Sequence, residues 1–235
     1  MKSATVIFAA IFLAGSLALS AQEVKTLSLA AQGIDKLEID GGAGFLRIRG
    51  VETLNAIEVK AEIYVKGIAD KKMKEFIEDN VKLTLEKKGG YAVLVGRIDS
   101  RLSFFSFREA WIDLTVNIPK KMNIRIDDGS GSIDVESIIG NLVIEDGSGG
   151  IRVENIQGDL DIDDSSGEIE VRGVTGNVSI DDGSGGIEIT DIGGSLTVSD
   201  GSGGIDIDRV GKDLILRGTG SGGVHYRNIK GRVIK

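Results

Sequence analysis

Five aspartates recur at a fixed interval in the second half of the chain, and they are its strongest candidates for chemistry. Each comes directly before a Gly-Ser-Gly or Ser-Ser-Gly turn, 18 residues after the previous one. The five are Asp128, Asp146, Asp164, Asp182 and Asp200. If the segments between them stack as strands, the carboxylates recur about every 4.8 Å. Hard cations such as calcium bind several carboxylate and carbonyl oxygens, so this aspartate series could hold calcium.

The glycines around these aspartates favour a structural role instead. Calcium β-rolls repeat Gly-Gly-x-Gly-x-Asp-x-U-x, where U is a large apolar residue and the aspartate follows the glycines. Here the aspartate precedes them, and the second half of each repeat has no Gly-Gly-x-Gly. An aspartate that heads a turn accepts backbone N–H groups. We therefore expect turn-forming aspartates with solvated charges and no cofactor, with weak calcium binding as the alternative.

Other catalytic groups are scarce. His225 is the only histidine, and the chain has no cysteine, so we expect neither a hydrolytic triad nor a multi-histidine metal site. Paired carboxylates could serve a glycosidase or a lyase, but nothing in the repeat predicts an aromatic-lined cleft for a sugar. The sequence predicts that the protein is not an enzyme, and a polysaccharide-active enzyme is the weaker alternative.

The aspartates belong to a repeat of 18 residues that occupies residues 124–235. Positions 1, 3, 10, 12 and 15 of every repeat are apolar, most are β-branched, and polar residues separate them. This alternation predicts two short strands per repeat, each with one buried face. One repeat buries too few side chains to offset the conformational entropy of its own ordering, so the repeats must stack. The sequence predicts an all-β fold, a single-chain β-solenoid with coils of about 18 residues.

Residues 1–21 have the composition of a signal peptide. Lys2 precedes an apolar run at residues 4–19, and small residues follow before Gln22. No later stretch reaches the ~20 apolar residues of a transmembrane helix. We expect an exported protein, without a transmembrane span in its mature chain, in the periplasm, on the outer surface or outside the cell. Its net charge of −8 argues against nucleic acid as a partner.

Residues 22–123 predict a β-rich part that caps one end of the regular solenoid at 124–235. Residues 37–39 and 46–48 match the strand positions of one repeat and predict an early coil. The rest predicts wider, irregular coils with longer strands and one short helix that ends at Asn80.

Two segments are candidates for contact with a partner. The most aromatic stretch contains Phe104, Phe105 and Phe107, which either pack over the wide coils or form an exposed apolar contact. The last coil is basic, whereas residues 124–213 contain 21 acidic and 5 basic residues. Its candidate residues are Arg227, Lys230 and Arg232. These cations could protect an open strand edge from pairing, which we favour, or bind an anionic surface.

Two elements of the sequence resemble a known group. They are Val-Asn-Ile-Pro-Lys at residues 116–120 and Ser-Gly-x-Ile-x-Val, as at residues 148–153. Both are similar to elements of the bacterial putative-adhesin family of β-strand-repeat proteins, a domain of unknown function, over about residues 37–232. The resemblance implies a β-strand-repeat fold and no catalytic residues. We expect a non-catalytic adhesin or scaffold that presents a repetitive acidic face to an envelope or surface protein or polysaccharide.

Overall fold

The structure is a computed structural model that describes residues 8–9, 20–67, 69–98 and 109–235. It is all-β with one short helix, and its regular part is a β-solenoid with 18-residue coils, as predicted. Most of the predicted signal peptide lies outside the described residues. No helix among the described residues has the length and apolar character that a membrane span requires.

The N-terminal part combines an early coil with longer antiparallel strands. Its elements are β1 (Phe8–Ala9), β2 (Ser20–Ala30), β3 (Lys36–Asp40), β4 (Leu46–Val51), β5 (Ala56–Lys66), α1 (Asp70–Asn80), β6 (Val81–Lys88), β7 (Tyr91–Ile98) and β8 (Ala110–Pro119). Strands β2, β5 and β8 pair antiparallel. Helix α1 contacts β2 and β6 and buries Met73 and Ile77, which lie one helical turn apart on one face.

The regular coils contribute the remaining strands. They are β9 (Asn123–Asp128), β10 (Ile133–Ile139), β11 (Leu142–Asp146), β12 (Ile151–Gln157), β13 (Leu160–Asp164), β14 (Ile169–Val174), β15 (Val178–Asp182), β16 (Ile187–Ile192), β17 (Leu196–Asp200), β18 (Ile205–Val210), β19 (Leu214–Thr219), β20 (Val224–Ile229) and β21 (Val233–Ile234). Successive strands alternate between two sheets. Within the described residues, the first sheet has the order β1-β2-β5-β8-β4-β10-β12-β14-β16-β18-β20, and the second has the order β21-β19-β17-β15-β13-β11-β9-β3-β7-β6.

Stacking places each apolar column of the repeat in one line inside the solenoid. Parallel pairing joins residues 18 positions apart, as in Ile151 with Ile169 and Leu160 with Val178. β3 and β4 continue the same lines, because Leu37 pairs with Ile124. The inward side chains of both sheets form one hydrophobic core. Each interior coil is therefore buried by the coils on either side of it.

Close packing of the coils explains the glycines at one corner of the repeat and the polar side chains at the other. A Cβ atom at Gly185, whose φ is +153°, would lie 1.5 Å from the carbonyl oxygen of Gly167 in the previous coil, so only glycine lets these turns approach. At the opposite corner, side-chain oxygens accept N–H groups of the following coil. The N–H of Asn141 donates to Asn123 Oδ1 at 2.9 Å, and the N–H of Asp159 donates to Asn141 Oδ1 at 3.0 Å.

Position 14 of each repeat has a left-handed backbone, which the sequence analysis did not predict. The residues at this position are Ser137, Asn155, Gly173, Asp191, Arg209 and Asn228, with φ between +58° and +70°. Glycine, asparagine and aspartate adopt this conformation most readily. It bends the first-sheet strand, so that two outward residues separate the buried positions 12 and 15.

Candidate functional site

The aspartate series lies inside the solenoid. The exposed fraction ranges from 2% for Asp164 and Asp182 to 8% for Asp128. Our expectation of solvated charges is therefore wrong. Alternate residues of a strand face the same side, and the aspartate is position 5 of a repeat whose positions 1 and 3 face the core. The strand thus carries the carboxylate inward.

Carboxylate oxygens of this series accept hydrogen bonds from backbone N–H groups of the turns, as expected for aspartates that head a turn. The N–H of Ser166 donates to Asp164 Oδ1 at 3.2 Å, and the N–H of Ser184 donates to Asp182 Oδ1 at 3.1 Å. Further buried oxygens have no hydrogen-bond partner among the described residues. They are Oδ2 of Asp128, Asp164, Asp182 and Asp200 and both carboxylate oxygens of Asp146.

This burial raises the pKa of the carboxyl groups, because the charged form loses hydration. The pKa rises to about 7 for Asp128 and to about 6 for Asp164 and Asp182. Burial also raises the pKa of Asp146. Neighbouring carboxylates add to the increase at Asp128, Asp164 and Asp182. The folded protein therefore binds protons in its interior at mildly acidic pH.

The series does not form a compact ligand set for a metal. Among the described residues, no group of three or more His, Cys, Asp or Glu side chains could hold a metal ion. The carboxylates run in a single line, one per coil, with aliphatic side chains beside them. Weak calcium binding by Asp128, Asp146, Asp164, Asp182 and Asp200 stays a prediction.

An ion-pair network covers the outer face of the first sheet near its last strands. Arg209 contacts Asp191 at 2.5 and 2.8 Å, donates to Thr190 Oγ1 at 2.6 Å and also pairs with Asp208. The side chain of Asn228 donates to Asp208 Oδ1 at 2.7 Å. Together with nearby arginines, this hydrogen bond holds the pKa of Asp208 below its usual value. The arginines therefore neutralise most of the negative charge on this part of the outer face.

An open concavity of about 1020 Å³ lies beside this network. Glu188, Asp206 and His225 contribute to its lining, and Asp206 and His225 are register partners on β18 and β20. Such a surface can hydrogen-bond a polar ligand. The chain contains no second histidine and no cysteine, so a multi-histidine metal site cannot form around His225.

The terminal coil, residues 214–235, exposes apolar side chains at two positions that other coils bury, those of Tyr226 and Val233, and at the outward position of Ile234. Tyr226 is 38% exposed, whereas its register partner Ile207 is 3% exposed. Val233 and Ile234 are 37% and 42% exposed, and these three are the exposed large apolar side chains of the described residues. β20 and β21 are the last strands of the two sheets. No described coil covers them.

The predicted interaction candidates Arg227, Lys230 and Arg232 lie on this terminal coil. Arg227 is paired with Asp208 at 3.2 Å, and Arg232 is paired with Asp213 at 2.8 Å. Lys230 has no carboxylate partner among the described residues. The three candidates share one coil, but only Lys230 offers an unpaired charge.

Two further cations on the terminal coil were not among our candidates. Arg217 has no carboxylate partner within the described chain, and Lys235 places its Nζ 5.0 Å from the ring centroid of Tyr226. The signal was present in the sequence, since the segment from Leu214 onward has five basic and no acidic residues. Arg217, Lys230 and Lys235 are thus available to an anionic partner.

The other candidates, Phe104, Phe105 and Phe107, lie outside the described residues, so their contact role stays a prediction. An aromatic pair that the sequence analysis missed lies on the long strands β5 and β8. Tyr64 stacks on Trp111 with ring centroids 5.0 Å apart. The two residues are register partners on neighbouring strands, which is the geometry of a stabilising cross-strand pair.

The fold is that of a bacterial β-strand-repeat domain. Residues 34–215 match the Toastrack DUF4097 family, a domain of unknown function, and the chain belongs to this family. This membership confirms the resemblance that the sequence analysis noted. The matched segment ends at the start of β19, before β20 and β21. No curated protein matches the chain.

Several solved structures are similar to this chain over nearly all of its length. They include a putative cell adhesion protein from Clostridium sporogenes (15% identity, 91% of this chain and 97% of that one, TM-score 0.36). A putative adhesin from Parabacteroides distasonis has 14% identity, covers 90% and 96%, and has a TM-score of 0.36. A putative lipid binding protein from the same species has 15% identity, covers 91% and 97%, and has a TM-score of 0.33.

Proposed function

We propose that this protein is a non-catalytic binding protein of the bacterial envelope or surface, and that its terminal coil contacts a surface macromolecule. The exposed apolar side chains Tyr226, Val233 and Ile234 carry the proposal, because they are the exposed large apolar side chains of the described residues, all three lie on the terminal coil, and exposed apolar surface marks interaction sites. Export through the predicted signal peptide, residues 1–21, would deliver the protein to the periplasm, the outer surface or the medium.

The charge around these side chains supports the same assignment. Interfaces combine an apolar centre with a polar rim, and Arg217, Lys230 and Lys235 supply such a rim. The coils at residues 124–213 contain 21 acidic and 5 basic residues. The terminal coil therefore differs in both polarity and charge from the rest of the solenoid.

We assign no catalytic activity to the chain. The aspartate series is buried, so its carboxylates cannot reach a polysaccharide on the outside of the coils. The outward carboxylates of the last coils are largely engaged by arginines, as Asp191 is by Arg209. A polysaccharide-active enzyme would have to assemble its acid and base elsewhere.

A binding experiment tests the proposal. The labelled protein is mixed with whole cells and with isolated envelope of the bacterium that makes it, and bound protein is measured against concentration. We expect saturable binding without release of products. The double variant Val233→Ser/Ile234→Ser should bind at least about tenfold more weakly, because the central apolar residues of an interface carry most of its energy.

The control variant is Val143→Ser, which changes an outward-facing valine of β11 far from the terminal coil. It should bind like the wild type. The proposal is wrong if the wild type shows no saturable binding, or if the control loses as much binding as the double variant.

A further inference from the structure

The terminal coil ends both sheets on strand edges that pair with nothing among the described residues. β20 pairs with β18 on one side only, and β21 pairs with β19 on one side only. An unpaired edge presents backbone N–H and C=O groups in the geometry that a further strand needs. The edge is also apolar on its inward side, as Tyr226 and Val233 show.

We propose that these edges accept an extended acidic segment of a partner protein, which adds as the next coil of the solenoid, with one strand against each edge. This inference rests on the proposed binding function and specifies its ligand. The incoming coil would cover Val224 and Tyr226 on β20 and Val233 on β21, as each interior coil covers the previous one. Its carboxylates would face the unpaired cations of the terminal coil.

The terminal coil departs from the repeat at the positions that determine charge. The aspartate series ends at Asp200, whose register partner in the next coil is Thr219. The corner that carries Asn177 and Asp213 in other coils carries Arg232 here, and Asp213 accepts its N–H at 2.8 Å. Both substitutions replace an acidic or neutral acceptor, so a coil stacked here meets neutral or positive groups. An acidic strand is complementary to this edge.

A second copy of the chain is a poorer occupant. Two terminal coils brought together would oppose Arg217, Lys230 and Lys235 with themselves. At the opposite end of the second sheet, the edge strand β6 carries Lys82, Lys87 and Lys88 against a single glutamate. Like charges across a strand pair are destabilising. Basic residues on an edge thus discourage self-assembly and leave an acidic partner favoured.

Fluorescence anisotropy with a labelled peptide tests the inference on the full chain. The probe is the peptide of residues 160–177, one acidic coil with five acidic and one basic residue. There are two control peptides. The first has the same residues in scrambled order, and the second has lysine in place of every Asp and Glu. We expect saturable binding of the probe and binding at least about tenfold weaker for each control. Recognition by strand addition depends on both the order of the side chains along the strand and their charge.

Charge reversal on the protein locates the site. The double variant Arg217→Glu/Lys230→Glu should weaken peptide binding at least about tenfold, and added salt should weaken binding to the wild type. The control Lys71→Glu/Lys72→Glu places the same charges on helix α1, and it should bind like the wild type. Equal loss in both variants would overturn the assignment to the terminal coil.

Other outcomes separate this inference from the proposed function. Equal binding of the scrambled peptide shows a general polyanion site and refutes strand addition. Sedimentation that detects dimers at binding concentrations, blocked by Val233→Ser/Ile234→Ser, refutes the acidic partner in favour of a second copy. If cells and envelope bind the protein but the acidic peptide does not, the inference fails and the proposed function stands. If neither binds, both fail.

Discussion

Interior coils and the terminal coil have the same strand pattern but different surroundings. Val178 and Val233 both occupy position 1 of a repeat, yet Val178 is 2% exposed and Val233 is 37% exposed. Ile207 and Tyr226 share position 12, and again the residue of the terminal coil, Tyr226, is the more exposed of the two. Burial in this fold therefore depends on the next coil more than on the residue itself. Each interior coil is stabilised by a neighbour on both sides, whereas the terminal coil has a neighbour on one side only among the described residues.

The largest effect is expected where two interior turns touch. The change Gly185→Ala would place a Cβ atom 1.5 Å from the carbonyl oxygen of Gly167 and force φ of +153° on alanine. We expect the free energy of unfolding to fall by more than about 3 kcal/mol, because both the stack and the backbone are strained.

Gly186→Ala is the matched control, since a Cβ there meets no atom within 4 Å. Its free energy of unfolding should lie within about 0.5 kcal/mol of the wild type. Chemical denaturation of the three proteins measures both values. Similar losses in the two variants would show that the turns are not in contact.

The second prediction applies one change at two equivalent positions. Val178→Ala should lower the free energy of unfolding by about 2–3 kcal/mol, because it removes buried methyl groups and leaves a cavity. Val233→Ala should cost less than about 1 kcal/mol, because Val233 is already exposed in the terminal coil. Denaturant titration of both variants gives the two values. Equal losses would mean that the terminal coil is covered in solution.

The solenoid itself could be predicted from the sequence, because the apolar columns repeat every 18 residues, with one extra residue in the last coil. The burial of the aspartates was missed although the same pattern contained it. Position 5 has the parity of positions 1 and 3, but a charged carboxylate is costly to bury, so an aspartate there is not read as a core residue as an aliphatic side chain is. The structure accommodates this cost by hydrogen bonds such as Ser184 N–H to Asp182 and by a raised pKa.

The left-handed corner was missed for a different reason. Asn155, Gly173, Asp191 and Asn228 recur at one position and signal a positive φ, but Ser137 and Arg209 interrupt the series. The exposure of the terminal coil follows from stacking, which single-residue patterns do not contain. Its basic charge could be seen in the sequence. The pairing of Arg227 and Arg232, and the lack of a carboxylate partner for Arg217 and Lys230 among the described residues, required the structure.

The third prediction concerns the pH dependence of the interior coils. The fold raises the pKa of Asp182 from its ordinary value of 3.8 to about 6, so between these values the folded state binds more protons than the unfolded state. The free energy of unfolding therefore falls as the pH rises from about 4 to about 7. Asp164 and Asp128 add to this fall. Arg97 opposes it at Asp128, and the adjacent outward aspartates reinforce it.

Asp182→Asn isolates one member of the aspartate series. The variant should show a shallower fall with pH, and above pH ~7 it should be more stable than the wild type by about 1–2 kcal/mol, because a neutral amide replaces a buried charge. Asp181→Asn changes its exposed neighbour, whose charge adds only the smallest contribution to the raised pKa of Asp182, so it should reduce the slope much less than Asp182→Asn does. Thermal melts of the three proteins across this pH range measure the slopes. A wild-type stability that rises over the same range would contradict the burial of the series.

The smallest effect is expected at the left-handed corner, where Ser137 has φ of +63°. Ser137→Gly should raise the free energy of unfolding by about 0.5 kcal/mol, because glycine adopts this conformation without the strain that a Cβ introduces, and this gain exceeds its larger entropy loss on folding. Ser179→Gly makes the same replacement at an exposed, extended position of β15, where it should lower that free energy by a similar amount. If the free energy of unfolding rises in Ser137→Gly and falls in Ser179→Gly, the strain at the corner lies in the backbone. A loss in both would show that the serine side chain stabilises the corner more than its conformation costs.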